Sequence, residues 1–317
     1  MSKPLIALLT AEDEAELPGL ESLTDQAELV YARDRDSLAE VLPRADVLVV
    51  TDFRTGMLED VWPEKHQLKW IHATSAGVDA LMIPPIINSD IQITNARGIF
   101  DRGIAEYVLG AILLFAKDTL GNIHYQQKRQ WQHRETELIR KRHVVIVGAG
   151  SIGGETARLL RAAGMEVTGV ARSAREDDDF DRVIASDDLP EILPEADFLV
   201  ITAPLTEQTR GLFDAAMISR LPSHARLINV GRGPIVKTDD LVQALQEKKI
   251  AGAALDVFED EPPAENHPLW GMPNVMMSAH MAGDFIGWRR ALGEQFAENF
   301  QRWCKQEALF NQVKKPH

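Results

Sequence analysis

The chain of 317 residues has a single cysteine, Cys304. One cysteine forms no intrachain disulfide, and its place in an apolar-periodic C-terminal segment fits a reducing cytosol. Basic residues are also few. Thirty-four Lys and Arg stand against 48 Asp and Glu, a formal net charge of −14. Such an acidic excess argues against nucleic acid or an anionic membrane as a partner. No run of about 18 apolar residues occurs, so no membrane span is expected. The opening MSKPLIALL has an apolar run too short for a signal peptide, and the expected location is cytoplasmic. Internal repeats and low-complexity tracts are lacking, and no metal site is expected. What is present is ordinary for a globular protein: 45% hydrophobic and 26% charged residues, with length enough for two domains.

The stretch around which the chain is organised is HVVIVGAGSIG, residues 143–153. Its four apolar residues, 144–147, have the length of a buried parallel strand. Gly148, Gly150 and Gly153 follow as G-x-G-x-x-G, then residues 155–163 read as an amphipathic helix closed by Gly164. A second strand is expected over 166–171. Strand, glycine turn, helix and strand form the context that a dinucleotide fingerprint requires. Gly148 allows the tight turn, Gly150 lets backbone approach a pyrophosphate, and Gly153 lets the helix pack close to the strand. The helix N-terminus faces the phosphates.

Residues 5–9, 29–31, 46–50, 69–72 and 91–94 read as short strands, with helical stretches such as 36–42 between them. That alternation implies a parallel sheet with crossovers. Ser75-Ala76-Gly77-Val78-Asp79 follows the fourth strand, where open α/β sheets place ligands. The N–H groups of Gly77 and Val78 could hold a carboxylate there; taken alone, the stretch is a plain strand-to-helix turn. Residues 104–116 form a helix with a wide apolar stripe, either core or subunit interface. Residues 122–141 form a polar connection containing Trp131. Further buried strands are expected over 197–202, 226–230, 251–255 and 274–277. Their ends present Pro204, Arg232, Asp256 and His280 along one sheet edge.

The second strand of the glycine unit ends in Ala171, where an NAD-selective site carries an Asp or Glu for the ribose diol. Arg172, Ser173 and Arg175 follow instead. Arginine suits a 2′-phosphate through its planar, charge-assisted fork. NADP is therefore the preferred cofactor and NAD a possible one. The acidic run over 176–179 partly offsets the arginines. Three further residues stand out: Arg232 between two glycines, Glu261 in an acidic loop, and His280 after the last strand. A histidine with an acidic partner can carry a proton near neutral pH. An arginine in the same cleft can hold a carboxylate in two parallel bonds.

These pieces together resemble the D-isomer-specific 2-hydroxyacid dehydrogenases. The matching segments are Ser75 to Asp79, the fingerprint with Gly164-Met165, Pro204-Leu205-Thr206, Val230-Gly231-Arg232-Gly233, Leu255-Asp256-Val257-Phe258 with Glu261-Pro262, and Ser278-Ala279-His280-Met281-Ala282-Gly283. They are collinear and span nearly the whole chain. The arginines after the second strand are similar to those of the glyoxylate/hydroxypyruvate reductase branch.

The resemblance implies an α/β protein of two doubly wound parallel-sheet domains. Residues 1–98 and 285–317 would form a smaller, flavodoxin-like substrate domain. Residues 99–284 would form a Rossmann dinucleotide-binding domain with a dimerisation helix, in a homodimer. His280 would be the general acid–base, paired with Glu261. Arg232 would bind the carboxylate of a small 2-keto or 2-hydroxy acid, and Ala76, Gly77 and Val78 its other side. Gly148, Gly150, Ser151, Ile152, Gly153, Arg172, Ser173, Arg175, Ala203, Pro204, Thr209, Val230, Gly231, Arg232, Asp256, His280 and Ala282 would line the cofactor, with Asp256 at the carboxamide. Room for the substrate side chain would depend on Phe53, Phe100, Trp131 and Trp288. The alternative is a non-catalytic, dinucleotide-sensing regulator on the same scaffold, since fold does not fix function.

Overall fold

The computed structural model describes residues 3–51 and 56–315. Phe53 lies outside them. The chain divides into two compact units, Met1–Phe100 with Phe285–His317, and Asp101–Asp284.

The first unit is built on five strands: β1 Leu5–Leu9, β2 Glu28–Ala32, β3 Val47–Val50, β4 Trp70–Ala73 and β5 Gln92–Thr94. They pair in the order β2-β1-β3-β4-β5, all parallel, the flavodoxin-like arrangement. Side chains alternate across a strand, so each strand feeds two cores. Leu5, Ala7, Leu9, Leu48, Val50 and Ile71 pack on one face. Ile6, Leu8, Val47, Val49 and Trp70 pack on the other. The helix Trp288–Cys304 covers this second face with Leu292, Phe296 and Phe300 at four-residue spacing. Phe296 stacks on Trp70 with ring centroids 5.1 Å apart. Truncating a buried aromatic of this kind costs about 3–5 kcal/mol, which explains why the chain returns to this unit at its end.

The second unit has seven strands: β6 His143–Val147, β7 Glu166–Ala171, β8 Arg182–Ala185, β9 Phe198–Ile201, β10 Arg226–Asn229, β11 Gly252–Leu255 and β12 Val275–Met277. Their order is β12-β11-β10-β9-β6-β7-β8, again all parallel. The order reverses between β6 and β9, the switch point where a doubly wound sheet opens a crevice at its carboxyl edge. Strand β8 was not expected from the sequence. It is an edge strand with one fully buried residue, Val183, so its hydrophobic run is broken.

Two helices pack side by side in this unit, Asp101–Ala116 and Ser151–Ala162. The second begins at Ser151, inside the glycine motif and four residues earlier than expected. The polar connection contains a helix, Thr119–Gln127, whose apolar periodicity is too weak to read. Its remainder runs without regular structure to β6. Glu137 ties that arm down through a bidentate ion pair with Arg226.

Candidate functional site

The turn after β6 shows why three glycines are needed. Gly148 has φ +115°, and a Cβ there would lie 2.6 Å from the Ala203 nitrogen. A Cβ on Gly153 would lie 2.1 Å from the Gly148 oxygen. The protein's own packing demands these two. A Cβ on Gly150 would meet no protein atom within 4 Å. Its small size serves whatever approaches the loop from outside. Gly150 also begins the helix Ser151–Ala162 without a side-chain cap, so the N–H groups of Gly150, Ser151, Ile152 and Gly153 have no helical carbonyl to meet. An open cradle over uncapped donors fits a pyrophosphate. The Ser151 hydroxyl hydrogen-bonds the Asp101 carboxylate. Asp101 carries a second, buried oxygen that meets no donor among the described residues. Sequence reading missed this aspartate, which lies fifty positions away.

After β7, the three residues offered to a 2′-phosphate differ. Arg175 donates to the Ala149 carbonyl at 2.6 Å and pairs with Asp177 at 2.9 Å. Arg172 and Ser173 are exposed, and their side chains make no hydrogen bond among the described residues. Ala203 and Pro204 follow β9, and Val230 and Gly231 follow β10. A Cβ on Gly231 would lie 2.8 Å from the Ala203 oxygen, which brings those two turns together. The Thr209 hydroxyl bonds the Pro204 carbonyl at 2.8 Å and closes its own turn.

Arg232, Glu261 and His280 follow β10, β11 and β12, three adjacent strands. A Cβ on Gly233 would lie 1.9 Å from the Phe258 carbonyl group. The glycine thus lets the Arg232 loop touch the backbone that leads to Glu261. The Phe258 N–H donates to one Glu261 oxygen at 2.9 Å, and His280 Nδ1 meets the other at 2.8 Å. Glu261 keeps 29% and His280 35% of their side-chain exposure, so the pair is reachable from solvent. The hydrogen bond from Glu261 raises the His280 pKa above its ordinary value, against partial burial and the charge of Arg232. Burial pushes Glu261 up, but its bonds to His280 and Phe258 and the nearby cations bring it below the usual carboxylate range. The two shifts agree: each partner favours the charged form of the other.

His280 has φ +51°, in the left-handed region that a non-glycine residue occupies only when its surroundings hold it there. Asp256 does so. It is 2% exposed, and its carbonyl accepts the His280 N–H at 2.8 Å. Its carboxylate accepts from Ser278 Oγ at 2.6 Å, Met281 N at 2.9 Å and Ala282 N at 2.9 Å. Three of the roughly four acceptor positions of a carboxylate are thereby used by the loop itself.

Ala76, Gly77 and Val78 belong to the first unit. The Gly77 carbonyl takes the Ser75 hydroxyl at 2.6 Å, and the Ala76 carbonyl takes Asn95 Nδ2 at 2.6 Å. The N–H groups of Gly77 and Val78 donate to nothing among the described residues. Phe100 and Trp288 lie against each other, centroids 6.0 Å apart, and Trp131 is fully exposed.

Residues 109–282 match the model of a protein family described as D-isomer specific 2-hydroxyacid dehydrogenase, NAD binding domain. The chain is 31% identical over 299 residues to a glyoxylate reductase of Thermofilum pendens, with 89% of this chain and 87% of that one covered. Two solved structures superimpose over 99% of both chains. One is an NADPH-dependent glyoxylate/hydroxypyruvate reductase from Sinorhizobium meliloti in complex with NADP and sulfate, 26% identical with a TM-score of 0.85. The other is a D-isomer specific 2-hydroxyacid dehydrogenase from Xanthobacter autotrophicus in complex with NADPH and MES, 27% identical with a TM-score of 0.83.

Proposed function

Because the chain belongs to the D-isomer specific 2-hydroxyacid dehydrogenase family, we propose that it reduces a small 2-keto acid, glyoxylate or hydroxypyruvate in kind, to the D-2-hydroxy acid, and catalyses the reverse oxidation. The observation that carries this reading is the Glu261–His280 pair with Arg232 acting on both ionisations. Protonated His280 donates to the substrate oxygen, and Glu261 stabilises the imidazolium before the proton leaves. Arg232 takes the substrate carboxylate and polarises the C2 oxygen. The N–H groups of Gly77 and Val78 offer two further donors to a carboxylate. Gly148 to Gly153 hold the pyrophosphate, and the bound dinucleotide supplies the hydride.

NADPH is preferred. Arg172 and Ser173 are the groups offered to a 2′-phosphate, and Arg175 supports the loop from the Ala149 carbonyl. Two neighbours solved with NADP or NADPH support the same choice. The protein works as a homodimer through the second unit. Trp131 at 101%, Leu138 at 74% and Ile123 at 47% exposure lie on and after the helix Thr119–Gln127, exposed apolar side chains in a polar segment that a second copy would cover.

Glyoxylate, hydroxypyruvate, pyruvate and phenylpyruvate, each with NADPH and NADH, test the reading. Turnover of the first two with NADPH, and a loss of roughly tenfold or more in kcat/KM for NADPH in Arg172→Ala, are expected. Equal efficiency with NADH overturns the cofactor assignment. Sedimentation of the wild type as a monomer at micromolar concentration overturns the dimer.

A further inference from the structure

Beside the pair that handles the proton lies a half-buried pair of hydroxyls, those of Tyr107 and Ser278, leading to the buried Asp256. Tyr107, on the helix Asp101–Ala116, places its hydroxyl 2.6 Å from Ser278 Oγ. Ser278 Oγ in turn lies 2.6 Å from Asp256 Oδ1. The direction of these bonds is forced. A carboxylate only accepts, so Ser278 gives its single proton to Asp256. The Tyr107 hydroxyl must then donate to Ser278. Burial, and after it the charge of Asp256, push the Tyr107 pKa up to about 12, so the phenol stays a donor across the working pH range.

We propose that Tyr107 and Ser278 are positioning residues for His280, a relay that fixes the Asp256 carboxylate under the left-handed turn carrying the imidazole. The proposal rests on the dehydrogenase reading only for its kinetic consequence. Its geometric basis is separate. His280 lies in a backbone region it would not choose, and the turn is held by bonds from Asp256 to residues 280, 281 and 282. Among the described residues, the groups that hydrogen-bond the Asp256 carboxylate are the Ser278 hydroxyl and the N–H groups of Met281 and Ala282. Its third side-chain donor is the Ser278 hydroxyl, oriented by Tyr107. Hydrogen bonds in series polarise and strengthen one another, so loss of the outer phenol weakens the inner bond. When the turn relaxes, the imidazole loses its fixed 2.8 Å contact with Glu261, the leading cause of its raised pKa. The other charges on it, Arg232 and Asp256, and Asp284, itself influenced by His280, are chemically unchanged by altering Tyr107 or Ser278.

The test uses the full-length protein and four variants: Tyr107→Phe, Ser278→Ala, the double variant, and Ser278→Thr. Two readouts are taken, the His280 imidazole pKa by NMR titration and the steady-state constants with NADPH and glyoxylate. Ser278→Ala is expected to lower the His280 pKa toward its ordinary value and to cut kcat about ten- to hundredfold, as for a lost bond to a charged group. KM for NADPH should stay within about twofold. Tyr107→Phe should act in the same direction by about two- to tenfold, since it removes one neutral bond. The double variant should be no worse than Ser278→Ala alone, because both break one chain. Ser278→Thr keeps the hydroxyl and should retain wild-type values. If Ser278→Ala does not fold, Tyr107→Phe, which removes one oxygen, carries the test. An unchanged His280 pKa and kcat, or losses that multiply in the double variant, overturn the relay. Should the wild type reduce no 2-keto acid while the pKa shifts appear as expected, the relay stands and the dehydrogenase reading falls.

Discussion

Each unit carries one histidine whose surroundings decide its chemistry, and the two are opposites. His72 lies on β4 of the five-stranded sheet, fully buried. Its rings of contact are Trp70 and Phe296, its Nδ1 meets the Thr94 hydroxyl at 2.8 Å, and its Nε2 has no partner among the described residues. Burial alone drives its pKa down to about 3. His280 follows β12 of the seven-stranded sheet, half-open to solvent, and Glu261 raises its pKa. The same side chain is a neutral packing element in one sheet and, in the proposed reaction, a proton carrier in the other. The difference lies in position along the strand. A residue in mid-strand faces a helix-covered core, whereas one past the carboxyl end faces the crevice.

The largest expected effect breaks the contrast outright. His280→Ala should lower turnover by about 10²–10⁴-fold, the usual worth of a general acid, with cofactor binding nearly unchanged by fluorescence titration. Near-normal turnover would favour the dinucleotide-sensing regulator over the enzyme.

Next comes acid stability. The unfolded chain protonates His72 near pH 6.5, while the folded chain resists until about pH 3. Between those values the unfolded state binds one more proton, so stability falls as pH falls. The contribution is about 1.4 kcal/mol per pH unit, levelling off near pH 3. His72→Asn keeps a polar atom near Thr94 and removes the titration. Denaturant unfolding of both proteins from pH 7 to pH 4 should show the wild type losing stability more steeply. Parallel curves would mean that His72 is solvated.

Glu261→Gln makes the surroundings of His280 more like those of His72. The folded pKa of His280 is raised, so its acid form persists to higher pH. Without the carboxylate the pKa drops, and the alkaline limb of the reduction profile should move to lower pH. A pH–rate profile with an unmoved limb would show that Glu261 acts by position alone.

The smallest effect tests the same contrast on arginines. Asp177 holds Arg175, whereas Arg172 makes no ion pair among the described residues. Asp177→Asn should lower KM for NADPH a few-fold and leave NADH unaltered, because an exposed ion pair is worth about 0–1 kcal/mol. A higher KM for NADPH would show that Asp177 shapes the loop instead of competing for the arginine.

Residues that respond to near neighbours were legible in the chain alone. The run 144–147 and the glycines after it announce a buried strand and a turn, because strand burial and positive φ are decided within a few positions. Strand β8 escaped for the same reason. With Val183 alone fully buried, nothing local distinguishes it from a loop. Arg232, Glu261 and His280 could be named as candidates from their motifs. Tyr107 could not, since an aromatic on an apolar helix reads as core.

The chain's own letters announced the parallel, crossover-connected strands and the fingerprint, which rest on periodicity and short-range spacing, and its motifs carried the resemblance to the family. Folding alone settled that β10, β11 and β12 lie side by side, that Asp177 rather than solvent meets Arg175, and that Tyr107 reaches Ser278 across 171 positions. Such pairings depend on strand order and on which faces bury one another. No single segment carries that information, because the free energy that selects it comes from surfaces far apart in sequence.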